Sequence, residues 1–122
     1  MKYIFTFEKL NVWVLSKDLT LLIYQTTCAF PESEKYGLIS QMQRAAVSVS
    51  SNIAEGNSRK GKSDRIKFFN IAFSSLMEMI SQSIIAYELG ILEMKTLDEI
   101  RLKGSEISNK LISMMNNQQS HL

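Results

Sequence analysis

Cysteine and histidine occur once each in 122 residues, as Cys28 and His121, and that scarcity closes off several kinds of chemistry. A single cysteine cannot form an internal disulfide, and one Cys with one His does not make a structural zinc site or a catalytic constellation. Neither a metal nor another cofactor is expected. Proline occurs once and glycine five times, too few for a turn-rich β fold, so long helices are open to the chain. In the opening MKYIFTFEKLNVWVL, acidic and polar residues interrupt the apolar ones before a signal-peptide core is reached, and no later run approaches a membrane span. The expectation is a cytoplasmic protein without membrane contact. An excess of one charge is also lacking, because 14 Lys and Arg against 12 Asp and Glu leave only +2. Affinity for nucleic acid must therefore come from how charge is distributed.

What is present is helical periodicity. Hydrophobic residues make up 45% of the chain and charged residues 21%, as in an ordinary folded domain. A chain of this length forms one domain that buries about two-thirds of its unfolded surface. Val12, Leu15, Leu19, Leu22 and Thr26 step by three and four along a first helix, expected over about 8–28 and ended by Phe30-Pro31. Ile39, Met42, Ala46, Val49 and Ile53 continue the rhythm over about 34–56. Ile66, Phe69, Phe73, Leu76, Ile80 and Tyr87 carry it over about 64–89, with Gly90 as a left-handed stop. Leu97, Ile100, Ile107, Leu111 and Met114 mark a fourth helix over about 97–116. Thr96 and Glu99 read as its capping box, and Gly104 is a misfit in its interior. The polar tail NNQQSHL is expected to fray. Four helices with three short connections predict an all-α, up-down-up-down antiparallel four-helix bundle forming a single domain, 1–122.

One stretch argues for something else. GNSRKGKS, from Gly56 to Ser63, satisfies the phosphate-binding pattern G-x-x-x-x-G-K-[ST]. A true P-loop follows a buried parallel strand and belongs to a chain with a second strand ending in a Mg²⁺-directing Asp. Here the preceding AVSVSSNI alternates with serines and also fits the second helix, and no apolar run ends in a suitable Asp. Nucleotide hydrolysis is therefore not expected. A di-iron bundle would need Glu-x-x-His pairs, and Glu78 and Glu88 lie about three turns apart without matching partners. Cys28 reads as a small core residue. No catalytic residues are assigned.

The same stretch does offer charge. Arg59, Lys60, Lys62, Arg65 and Lys67 place five of the 14 basic residues within nine positions, opposed only by Asp64. That is a local +4 in a protein whose total is +2. A basic loop leading into a helix N-terminus forms a surface for phosphates. A solvated loop kept polar for solubility is the alternative. Because no aromatic residue interleaves the five, base stacking is not indicated, and binding should be directed to the backbone with little sequence preference.

The third helix is apolar well beyond one face, with Phe68, Ile71, Ala72, Met77, Met79, Ile84 and Ile85 widening the stripe. This width points to burial against a second copy of the chain. The second helix is rich in small residues (Ala45, Ala46, Ser48, Ser50, Ser51 and Ala54), which admit a close neighbour. Arg44, Asn52 and Glu55 lie among them and read as structural polar contacts at a helix or subunit interface.

QMQRAAVSVSSNIAEGNSR resembles the signature of small bacterial four-helix proteins encoded within intervening sequences of 23S rRNA genes. The pattern R-A-x-x-S-x-x-x-N-I-A-E-G falls on Arg44, Ala45, Ser48, Asn52, Ile53, Ala54, Glu55 and Gly56. FEKLNVW with Trp13, IYQTTCAFPESEKYGL, FFNIAFSSLMEM and YELGIL extend the likeness over nearly the whole chain. One departure is Ser74-Ser75, where the family commonly carries Gly-Ser. The resemblance implies a bundle that assembles into a five-membered ring, a homopentamer, without established enzymatic activity. The related accessory proteins of diversity-generating retroelements bind a reverse transcriptase and nucleic acid through basic ring surfaces. The function expected is a non-enzymatic ring that binds RNA or DNA, or a ribonucleoprotein, with Arg59, Lys60, Lys62, Arg65 and Lys67 on phosphates. Phe68, Phe73 and Met77 would fill the core or the subunit seam. The alternative is a scaffold that engages a partner protein, such as a nucleic-acid enzyme, without touching nucleic acid itself.

Overall fold

A computed structural model describes residues 3–120. Its four long helices are α1 (Asn11–Thr27), α2 (Ser40–Ser58), α3 (Lys62–Glu88) and α4 (Met94–Ser120). No strand occurs among the described residues, so the chain is an all-α four-helix bundle. Side-chain contacts fix the directions of neighbouring helices. Thr20 Oγ1 lies 3.1 Å from the Ala46 carbonyl, and Gln43 Nε2 donates to Thr27 Oγ1 at 3.0 Å. Later residues of α1 thus meet earlier ones of α2, as in an antiparallel pair.

The core is built from the periodic apolar residues. Met42, Val49, Ile53, Phe69, Leu76, Leu97, Ile100, Ile107 and Leu111 are buried, and Phe30 and Leu92 close the end remote from the basic loop. On α1 the buried line is Val12, Ser16, Leu19, Ile23 and Thr27; Val12 and Leu19 are as expected, whereas Ser16, Ile23 and Thr27 take the place of the adjacent Leu15, Leu22 and Thr26, which are half-buried. Ser16 and Thr27 tolerate this burial because their hydroxyls donate to the carbonyls of Trp13 (2.7 Å) and Ile23 (2.8 Å). Cys28 follows the helix as an exposed residue rather than a core one.

Helix ends depart from their expected places in several ways. α1 opens at Asn11, because Thr6–Lys9 form a separate 3₁₀ turn. α2 becomes regular only at Ser40, after a 3₁₀ turn at Glu32–Glu34 and a wide π-type turn at Lys35–Ile39, where Glu34 Oε1 accepts the Leu38 N–H at 3.2 Å. α4 starts at Met94, with the Leu97 N–H bonded to the Glu93 carbonyl. Thr96 therefore sits inside the first turn, and the capping box read at Thr96 and Glu99 does not mark the helix start. At its other end α4 runs through Ser120, past the expected end near 116; His121 and Leu122 lie outside the described residues. Gly90 takes φ 80°, the left-handed stop expected after α3.

Two glycines are packing devices. A β-carbon on Gly104 would stand 2.8 Å from Ile80 Cδ1, so the misfit in α4 marks its close approach to α3. Gly56 belongs to α2 and lies against Phe69 in the same way. α3 proves long and apolar enough to cross a bilayer, contrary to the expectation that no segment approaches a span. Its Phe69, Ala72, Leu76, Met79 and Ala86 are buried in the bundle core.

Candidate nucleic-acid interface

The segment that matched a P-loop runs from the last turn of α2 through Arg59–Gly61 into α3. A helix, not a strand, precedes it, and Gly56 is buried under a phenylalanine instead of opening towards a phosphate. The α2–α3 loop is only three residues long, which sets its basic side chains at one end of the bundle.

The five basic residues do not play equivalent parts. Arg65, half-buried in the first turn of α3, donates through Nη1 to the carbonyls of Asn57 (3.2 Å) and Arg59 (2.9 Å). Its guanidinium also lies 6.0 Å from the centroid of the Phe69 ring. It ties the loop to both helices, a use of guanidinium that the sequence pattern, which assigns it to phosphate, does not reveal. Arg59 lies 4.6 Å above the Phe68 ring and 3.4 Å from Glu55, one turn earlier. That pair is about half exposed, so it holds the side chain only weakly. Lys60 and Lys67 are exposed, and Lys62 is half-buried.

The polar residues of α2 resolve differently from one another. Asn52 Nδ2 lies 2.8 Å from the Ser48 carbonyl and 3.1 Å from Ser48 Oγ, which in turn meets Ser75 Oγ of α3 at 2.8 Å. Glu55 finds its partner at Arg59, whereas Arg44 is exposed and has no hydrogen bond or ion pair among the described residues. Ser74 is exposed, so the side chain it carries beyond glycine does not enter a helix contact within the chain. Phe68 is half-buried beneath Arg59, and Phe73 packs partly against the core. Met77 is 40% exposed, as are Ile71 (40%) and Ile85 (49%).

Charge is polarised along the bundle. The loop end carries Lys9, Arg59, Lys60, Lys62, Arg65 and Lys67 against Glu8, Glu55 and Asp64, while Glu32, Glu34, Glu88 and Glu93 outnumber Lys35 and Lys95 at the other. Lys9 joins the basic end through folding alone, since it lies about fifty residues from the loop in sequence. Two clefts, of about 200 Å³ beside Phe30 and Leu92 and about 220 Å³ beside Val12 and Met114, include none of the basic residues of the loop. Both fall below the usual size of a small-molecule site. Among the described residues no cluster of His, Cys, Asp and Glu can hold a metal ion. The loop end therefore offers an exposed cationic surface, open to an extended polyanion.

Comparison with known proteins agrees with this architecture. A protein of unknown function from the S23 ribosomal protein family of Bacteroides thetaiotaomicron has a similar structure, with a TM-score of 0.77 at 21% identity, over 85% of this chain and 97% of that one. At that identity the likeness is one of fold. No curated protein matches the chain. The family model described as 23S rRNA-intervening sequence protein matches residues 8–113, and the chain belongs to that family.

Proposed function

We propose that this protein is a non-enzymatic, ring-forming four-helix bundle that binds RNA, or a ribonucleoprotein, through its basic loop. The observation that carries the reading is the grouping of Arg59, Lys60, Lys62 and Lys67 at one end of the bundle, on a loop that Arg65 holds in shape. A preformed loop loses little conformational freedom on meeting a phosphate chain. Self-association supplies the rest of the affinity. On α3 the exposed line Lys67, Ile71, Ser74, Glu78, Ser81, Ile85 and Glu88 repeats at spacings of four and three, and Met77 flanks it. Most of that line is polar, but Ile71, Met77 and Ile85 stand exposed among the polar residues, and these are the apolar side chains a second copy would cover. A homopentamer would gather about twenty such basic side chains, turning weak single contacts into avidity.

The test is fluorescence anisotropy of a labelled single-stranded RNA titrated at about 50 and 200 mM salt. Three phosphate contacts should cost about twentyfold in affinity over that range, and more contacts proportionally more. No binding at the lower salt would overturn the reading and leave the loop as a solubilising cap. Light scattering on the same sample should give a multiple of 13.9 kDa, and a monomer mass at micromolar concentration would remove the avidity.

A further inference from the structure

The aromatic residues missing from the basic loop are supplied by the far end of the sequence. Tyr3 is 77% exposed, Ile4 53% and Phe5 69%. Phe5 is nevertheless held in place. Its N–H donates to Glu8 Oε2 at 2.7 Å, and its ring stacks on Phe7 with centroids 6.2 Å apart and 15° between planes. Phe7 in turn meets Trp13 edge to face at 4.9 Å. A fixed ring open to water is the form a stacking platform takes.

The platform shares a framework with the basic loop. Asn57 Nδ2 donates to Thr6 Oγ1 at 3.5 Å, while the Asn57 carbonyl accepts from Arg65, which also bonds the Arg59 carbonyl. Phe5 is one residue from Thr6, and Arg59 is two from Asn57, so the aromatic and cationic groups each begin within about 11 Å of that bond. The surroundings argue against a protein-protein seam here. Lysine is depleted from the cores of such seams, yet Lys9 and Lys60 stand exposed beside this segment. Cationic side chains next to aromatic faces are the composition of surfaces that take single strands, where bases stack and phosphates pair with Lys and Arg.

We infer that Tyr3 and Phe5 stack unpaired bases, which makes the loop end a site for single-stranded nucleic acid in preference to duplex. This inference rests on the nucleic-acid reading above and specifies its ligand. Bases already stacked in a duplex are not available to the platform. Stacking uses the face common to RNA and DNA bases, so both single strands are bound.

The experiment measures anisotropy with four labelled probes of equal length: single-stranded RNA, single-stranded DNA, duplex, and an abasic strand that keeps only phosphates and sugars. The wild-type protein should bind both single strands at least about fivefold more tightly than the abasic strand or the duplex. Tyr3→Leu and Phe5→Leu should lose that margin while keeping the salt dependence, the melting temperature and the oligomer mass. Equal binding of all four probes, or unchanged single-strand affinity in both variants, would overturn the platform and leave the phosphate-binding loop standing. A change of oligomer mass in either variant would also overturn it, by assigning the aromatics to a subunit seam. Failure to bind any probe at about 50 mM salt would remove the nucleic-acid reading together with its refinement.

Discussion

Gly56 of α2 and Phe69 of α3 pack so closely that a β-carbon on the glycine would stand 2.6 Å from Cε1 and 2.8 Å from Cδ1 of the ring. The ring is fully buried, so it can turn away only by displacing its neighbours. Gly56→Ala should therefore destabilise the protein by about 1–3 kcal/mol, lowering its thermal midpoint by several degrees. Gly104→Ala is the contrasting variant. Its nearest neighbour would be the tip of Ile80, at 2.8 Å, which can rotate, and alanine gains about 1 kcal/mol of helix propensity. Its net effect should be small. Equal loss of stability in the two variants would show that ring rigidity does not decide the outcome.

Ser48 and Ser75 form a hydroxyl pair across the α2–α3 seam at 2.8 Å, with Asn52 Nδ2 also 3.1 Å from Ser48 Oγ. Because Ser75 is only 8% exposed, water replaces its partner poorly. Ser75→Ala and Ser48→Ala should each cost about 0.5–1.5 kcal/mol. The double variant should cost clearly less than the two losses added, since one bond is removed twice. Urea unfolding of the four proteins measures this coupling, and strict additivity would mean that the pair contributes nothing.

On α3, Ile71 and Ile85 lie four turns apart on one exposed line. Exposed apolar side chains add little to the stability of a lone bundle, but they contribute directly to a seam between copies. Replacing both by Gln should shift the mass measured by light scattering towards 13.9 kDa while preserving helical circular dichroism. An unchanged oligomer would move the seam to another face.

How far these features can be read in advance depends on their range along the chain. α2 and α4 are legible because Met42, Val49 and Ile53, and Leu97, Ile100, Ile107 and Leu111, are large apolar residues at helical spacing with polar neighbours. On α1, Val12 and Leu19 are buried as expected, while the other three positions read one residue early because Leu15, Leu22 and Thr26 offer a second stripe as apolar as the buried one. A hydropathy pattern cannot see that the Ser16 and Thr27 hydroxyls satisfy themselves on their own helix. The early start of α4 is hidden because the chain bonds through the Glu93 carbonyl, a group every residue type carries. At the candidate site the basic cluster is legible as a run in sequence. The inward turn of Arg65 and the proximity of Phe5 depend on contacts with Asn57, and Thr6 is 51 residues from that asparagine. No local pattern encodes such a meeting.

Arg65 and Lys60 should separate when each is replaced by Gln. Arg65 makes two bonds to loop carbonyls, and charged hydrogen bonds contribute more than neutral ones, about 1.5–3 kcal/mol when well formed. Partial exposure reduces that figure here, so Arg65→Gln should cost about 1 kcal/mol of stability and also weaken RNA binding, because the loop loses its shape. Lys60 is exposed, and Lys60→Gln should leave the melting temperature unchanged. Its effect belongs in the salt dependence, whose slope should fall by about 0.7 for each phosphate of a single strand that is no longer neutralised. Thermal melts and salt titrations on the same two variants therefore distinguish a residue that shapes the loop from one that meets the ligand. If Lys60→Gln destabilised the fold while Arg65→Gln altered only the salt slope, the two roles would have to be exchanged.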